Sequence, residues 1–292
     1  VSLLFLINMI KLAYNKLPVM IHLSGKTGEL ILRWDLLFIL IFLPWLATYA
    51  GSVLALIMKL GSIKKQGMML GFAAGVMIAA SIWSLVLPAF EETNKDTFGA
   101  FIVTLGFFLG CLGMLGLDKL IPHQHSDDNL PEGLPSSLPR PMLLVLAVAL
   151  HNIPEGLALG VVVSAAMKDT ALSWNAALIF SLGLVLQNFP EGMAVVYPLY
   201  QSGVDRKRCH RLGLLASFTE PVAALIGAAS SVLLIMLGGI ILPLLLSTAA
   251  GAMIFIVVEE LIPQARMDNK HFGTYGFLLG FWAMALMGMM GT

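Results

Sequence analysis

Apolar residues in this chain come in long unbroken runs, with polar and charged residues gathered between them. Each run is about as long as a helix needs to cross a bilayer, roughly 20 residues. Eight can be marked: 35–59, 67–90, 98–121, 142–166, 174–200, 212–236, 240–262 and 274–291. No segment alternates apolar and polar as a strand would, and helices satisfy every backbone group within the segment. The pattern predicts an all-α polytopic membrane protein of about eight transmembrane helices. The sixth and seventh runs are separated only by a turn at Gly238-Gly239, so they form a tight hairpin. Residues 1–34 read differently. Ser2 to Ile10 is apolar, but Lys11 and Lys16 interrupt it before it could span, and it lacks the features of a secretory signal. It is either an interfacial leader or an extra span, and residues 35–292 form a single transmembrane domain. Within that domain the one long connection, residues 121–141, is rich in Pro, Ser and Asp and reads as a flexible loop.

Lysine and arginine set the orientation. Connections after the first, third, fifth and seventh spans carry Lys59, Lys64, Lys65, Lys119, Arg140, Arg206, Lys207, Arg208, Arg211, Arg266 and Lys270. Those after the second, fourth and sixth carry only Lys95 and Lys168. The first set is cytoplasmic and the C-terminus outside, as in a multi-pass protein of a plasma or bacterial inner membrane. The leader's own Lys11, Lys16, Lys26 and Arg33 then face the wrong way unless it adds a crossing.

Polar residues inside the spans change the picture from a membrane protein to a membrane protein with a site. The fourth span contains His151-Asn152-Ile153-Pro154-Glu155-Gly156. An ionised acid at mid-membrane costs roughly 3 kcal/mol or more, so such residues mark function. His151 and Glu155 stand four apart on one helix face. Pro154 has no N–H to donate, which frees the carbonyl of Leu150. The fifth span repeats the phrase as Gln187-Asn188-Phe189-Pro190-Glu191-Gly192. Imidazole, carboxylates and amides meeting between two helices suit a borderline divalent cation such as Zn²⁺ or Fe²⁺. The sixth span adds Glu220, in Ser217-Phe218-Thr219-Glu220-Pro221, as a third buried acid beside a proline. Glu155, Glu191 and Glu220 balance one divalent ion well and a second poorly, unless amide oxygens and water assist.

A second internal repeat bears on mechanism. Ala73-Ala74-Gly75-Val76-Met77-Ile78 in the second span returns as Ala249-Ala250-Gly251-Ala252-Met253-Ile254 in the seventh. Each is followed by Leu-Pro or Ile-Pro near the helix end. By the charge rule these two spans run oppositely, as do the fourth and fifth. Inverted repeats around a midplane site are the pattern of alternating-access transporters. Small-residue runs of this kind also serve plain helix packing. Met77 and Met253 are soft contacts beside the pathway or simply core. Glu259 and Glu260, closing the seventh span, are an exit relay or a solvated helix end. His123 and His125, with Asp127 and Asp128, make the long loop either a polar linker or a cytoplasmic metal-catching segment. Glu91, Glu92 and Asp96 crowd the outer end of the second span and either gather cations or are solvated.

Composition narrows the class. The 292 residues are 58% hydrophobic and 12% charged, half the charged share of a soluble domain, with zero net charge. That balance argues against a nucleic-acid partner. Two cysteines, Cys111 and Cys209, provide neither a disulfide framework nor a cysteine zinc site. No organic cofactor is expected; the metal is the substrate.

The paired phrases and the Glu-Pro of the sixth span resemble the ZIP family of divalent metal transporters, in its prokaryotic GufA-like branch, over residues 35–292. The resemblance implies uptake of Zn²⁺, with Fe²⁺, Cd²⁺ or Mn²⁺ as further substrates, toward the cytoplasm. It implies one metal position at His151, Glu155, Gln187 and Glu191. A neighbouring position would use Asn152, Asn188 and Glu220 and share Glu155 and Glu191. Met77 matches a methionine near the first position. A homodimer, and an elevator-like motion of spans one, four, five and six against the rest, are also implied. Two departures stand out: related bacterial members often carry Asp where this chain has Asn188, and an acidic residue near the outer end of the eighth span is replaced around Gly288. Two other readings stay open. An intramembrane zinc enzyme would use a site with an open position, although no His-Glu-x-x-His phrase is present. A passive divalent-cation channel would not need two-sided repeats.

Overall fold

The computed structural model describes residues 34–57, 63–124, 131–167, 172–201, 203–235, 239–266 and 271–291. The leader lies outside them. The described residues are almost entirely helical, and eight helical segments are long and apolar enough to cross a membrane. The first is α1 (Trp34–Ile57). The second is α2 (Ile63–Ala80), which runs through a π-helical stretch, Ser81–Val86, into Leu87–Glu91. Then come α3 (Thr97–Leu120), α4 (Arg140–Ala166) and α5 (Trp174–Gln201). The sixth span is two helices, α6 (Arg206–Ser217) and α7 (Thr219–Ile235), joined at Phe218. The seventh is α8 (Ile241–Ile256), continued by a π-helical stretch, Val257–Leu261, and by Ile262–Ala265. The eighth is α9 (Phe272–Gly291).

The sixth helical segment begins at Arg206, earlier than the hydrophobic run beginning at 212. Its first turns are cationic yet helical, because Asp205 caps them by accepting from the Arg208 N–H at 3.1 Å. Hydrophobicity sees only the membrane-buried part of that helix.

Glycine carbonyl contacts define how the helices pair. A Cβ on Gly156 of α4 would stand 2.2 Å from the Glu220 carbonyl oxygen, and one on Gly192 of α5 would stand 1.9 Å from that of Thr48 in α1. Both glycines of the Pro-Glu-Gly phrases therefore sit where two helix backbones touch, the small-residue packing that membranes favour. The glycines of the other repeat behave alike. Gly75 of α2 lies against the Phe277 carbonyl of α9, and Gly251 of α8 against the Phe107 carbonyl of α3, at 2.1 and 1.9 Å from a notional Cβ. The spans thus pair one with five, four with six, two with eight and three with seven. That set is unchanged when one and six, two and seven, three and eight, and four and five exchange places, as an internal repeat requires. The two π-helical stretches also begin at the same offset from the first alanine of each repeat copy.

The centre and the rim follow from burial. Two-thirds of the hydrophobic windows of the second, fourth and fifth spans is buried (67%), against 22% for the third and 33% for the eighth. The third and eighth therefore turn broad apolar faces outward, Phe101 and Phe108 on one and Leu278 and Trp282 on the other. A polar site at mid-membrane can only be kept from lipid where burial is deepest, between the fourth and fifth spans. Gly288 packs on Trp83, whose Cβ lies 2.7 Å from a notional Cβ, so no acidic side chain fits there without moving the indole.

Candidate metal centre

Both metal-motif helices remain helical through their prolines, α4 through Pro154 and α5 through Pro190. Every residue of the two phrases with a ligating side chain is buried: His151, Asn152, Glu155, Gln187, Asn188 and Glu191, together with Glu220 of α7. Seven polar side chains here occupy the interior of an otherwise apolar bundle.

Their hydrogen bonds leave a set of oxygens over. Asn152 donates its amide to the Ala216 carbonyl at 3.0 Å. Asn188 donates to both carboxylate oxygens of Glu220, each at 2.8 Å. Each asparagine thus spends its N–H₂ on the sixth span, and each Oδ1 is buried without a partner. Both oxygens of Glu155, the Oε1 of Glu191 and the Oε1 of Gln187 are likewise buried without one. Leaving one such acceptor unmatched costs on the order of 1–3 kcal/mol, and more if it is charged. Six acceptor oxygens stand beside one unmatched donor among these side chains, the Gln187 amide, so they outnumber the hydrogen bonds available to them, and such an oxygen-rich lining suits a cation. Glu155, Glu191 and Glu220 stand close enough for their charges to act on one another, and Gln187 faces Glu155. Uncompensated, three buried carboxylates repel; a divalent ion reverses the sign of that interaction.

His151 points elsewhere. Its Nε2 is hydrogen-bonded to the carboxylate of Glu260. Glu260 lies in the π-helical stretch of the seventh span and is buried, while its neighbour Glu259 is exposed. A π turn inserts one residue into the helical register, which re-aims the following side chains. Of the two acids at the end of this span, the bulge turns one inward. As a result, His151 is not gathered with Glu155 and Glu191 into a compact ligand set. Among the described residues the only three acids, histidines or cysteines with ligand atoms all within 4.8 Å of one another are Asp118, His123 and Glu132.

That second cluster was only partly legible. His123 is fully buried. Its Nδ1 meets the Ile121 carbonyl at 2.8 Å, and its Nε2 lies 3.1 Å from Asp118 and 3.9 Å from Glu132. A backbone bridge between His123 and Glu132 pins the ends of the loop together. The loop is therefore tied down at 123 and 132, with His125, Asp127 and Asp128 outside the described residues. Asp118 and Glu132 carried no motif. The available signal was Asp118 itself, an acid at the end of an apolar span with a histidine just beyond the Pro122 turn. Beside the metal-motif helices lies a cavity of about 50 Å³ whose wall includes His151, Glu191, Gln124 and Gln264. It connects the metal helices with the residue next to His123. Met77 and Met253 are wholly buried in the main apolar core, where both pack.

The donor set is nitrogen and oxygen without thiolate, which fits Zn²⁺, Fe²⁺ or Mn²⁺ and disfavours Cu(I). Comparison with known proteins agrees in kind. A family model described as ZIP zinc transporter matches residues 118–288. The chain is 36% identical over 246 residues to zinc transporter ZIPB of Bordetella bronchiseptica, covering 82% of this chain and 76% of that protein. It is 33% identical over 240 residues to zinc transporter GufA of Myxococcus xanthus, covering 80% and 91%. It is 31% identical over 323 residues to zinc transporter ZIP11 of Homo sapiens, covering 83% and 93%. The matched stretches carry both Pro-Glu-Gly helices and the acid of the sixth span, and the chain belongs to the ZIP family of zinc transporters.

Proposed function

We propose that this ZIP-family membrane transporter carries Zn²⁺ into the cytoplasm by alternating access, with Fe²⁺, Cd²⁺ and Mn²⁺ as substrates its oxygen-rich site also accepts. Membership of a transporter family sets aside the intramembrane enzyme. The observation that carries the reading is the set of six buried acceptor oxygens on Asn152, Glu155, Gln187, Asn188 and Glu191, which outnumber the one unmatched donor among these side chains, the Gln187 amide. His151, Glu155, Gln187 and Glu191 hold the transported ion. Asn152, Asn188 and Glu220 frame a second position that shares the two glutamates.

The helix pairing supports a division of labour. Spans one and five, and four and six, are locked by backbone contacts at Gly192 and Gly156 and carry all seven ligands. Spans two and eight, and three and seven, are locked the same way and carry Glu260 and Asp118. The first group moves as a unit against the second. An ion leaving the site passes His151 and Gln124 and meets Asp118, His123 and Glu132 at the cytoplasmic mouth. The lysine and arginine distribution supports a mouth on the inside and a C-terminus outside a plasma membrane. The transporter works as a homodimer, with residues 35–292 as one transport domain and the leader separate from it.

Zinc uptake into liposomes tests the proposal. Wild type should show uptake that saturates with zinc concentration and has a low maximal rate. Glu191→Gln, which keeps size and removes the charge, should abolish it in correctly inserted protein, because a buried cation site losing one carboxylate loses several kcal/mol of binding. Near-normal uptake by that variant removes Glu191 from the ligands. Unsaturable flux in the wild type makes the protein a channel.

A further inference from the structure

The first turns of α6 carry Arg206, Lys207, Arg208 and Arg211, all exposed. None of the four makes an ion pair among the described residues. The acid beside them, Asp205, is committed to capping the helix. Arg206 lies over the Tyr200 ring at 5.5 Å and reaches its hydroxyl at 3.4 Å, and Arg211 Nε donates to the Lys207 carbonyl at 3.5 Å. The patch is thus preformed yet not neutralised.

What faces it follows from the rest of the same helix. The exposed stripe of the sixth span runs through Arg208, Arg211, Leu215, Phe218, Val222 and Ile226. It is cationic as far as Arg211 and apolar from Leu215 on, a change within one turn, about 6 Å of helix. A stripe that is apolar for the length of a half-membrane and then abruptly cationic marks the boundary between acyl chains and headgroups. The depth agrees. Glu220 lies nine positions beyond Arg211, about 14 Å along the axis. That is near the middle of a hydrocarbon core about 30 Å thick, where the metal ligands should be.

We propose that Arg206, Lys207, Arg208 and Arg211 form a binding site for the phosphate headgroups of anionic phospholipids. The site sits on the helix that carries Glu220, on the side read above as cytoplasmic. Guanidinium groups suit phosphate because they offer paired donors in one plane. Clustered cations at a membrane face draw anionic lipid by an attraction that adds with each charge and weakens with salt. The headgroups hold the outer turns of the sixth span at the interface, and with them the bundle whose ligands bind the ion.

The test uses the full chain in detergent, titrated with phosphatidylglycerol or phosphatidylcholine and read by native mass spectrometry. Wild type should retain phosphatidylglycerol over phosphatidylcholine, and added salt should reduce that retention. Arg208→Gln with Arg211→Gln should weaken phosphatidylglycerol binding roughly thirtyfold while zinc affinity stays unchanged, which also certifies the fold. Equal retention of the two lipids by wild type overturns the proposal, as does an undiminished preference in the folded variant. Should the double variant fail to bind zinc, wild type alone decides: a phosphatidylglycerol preference insensitive to salt overturns the proposal.

Discussion

Glu260→Gln should tighten zinc binding. In this conformation the Nε2 of His151 is held by the Glu260 carboxylate, so a metal that uses this nitrogen must first displace that partner. A hydrogen bond to a charged group contributes about 1.5–3 kcal/mol, and a neutral one about 0.5–1.5. Glutamine keeps the length and a carbonyl acceptor but drops the charge, so the difference is about 1–1.5 kcal/mol. At about 1.4 kcal/mol per decade, zinc affinity should rise five- to tenfold. Association rates vary less than dissociation rates among variants of one site, so most of the change should appear as slower release, and turnover should fall as affinity rises. Competition titration with a chelating dye on detergent-purified protein measures the affinity, and stopped-flow release measures the rate. Glu259→Gln is the control, since that side chain is exposed one position away and should change neither. Unchanged affinity in Glu260→Gln would mean His151 is not contested. Weaker affinity would make Glu260 a ligand rather than a rival. Either result refutes the reasoning.

Metal binding should release protons, because imidazole and carboxylates ligate only when deprotonated; affinity should therefore fall on acidification. Calorimetry in buffers of different ionisation enthalpy checks this, and a buffer-independent heat counts against it. Asn188→Asp should raise occupancy of the second metal position and destabilise the metal-free protein. It replaces an amide that donates to both Glu220 oxygens with a carboxylate facing them. Equilibrium binding of two equally tight zinc ions by wild type would sink the charge argument behind this. Gly156→Ala should destabilise the protein by about 1–3 kcal/mol and weaken zinc binding, because its Cβ meets the Glu220 backbone oxygen. Gly113→Ala, where a Cβ meets nothing within 4 Å, is its control, and equal melting temperatures would exclude the close helix contact.

The sequence by itself determined the eight membrane-length helices, the buried polar residues of the fourth, fifth and sixth, and the repeat. These are local properties: an apolar run must cross or be buried, a proline frees a fixed carbonyl, and residues four apart share a face. The paired Pro-Glu-Gly phrases named six of the seven buried ligand candidates, and Glu220 followed from the cost of an acid in a span. Tertiary structure decided what those residues do with their donors. That Asn188 spends its amide on Glu220, and so offers only oxygen to an ion, depends on where the sixth span lies against the fifth. That Glu260 rather than Glu259 turns inward depends on a π turn, which a pattern of apolar letters does not reveal because one inserted residue leaves composition unchanged. Asp118, His123 and Glu132 meet only because the chain doubles back between 123 and 132; with no spacing rule linking them, only the fold brings them together. The start of the sixth helix at Arg206 was hidden for the opposite reason. Hydropathy locates the apolar run, whereas the cap at Asp205 starts the helix before it, on cationic residues.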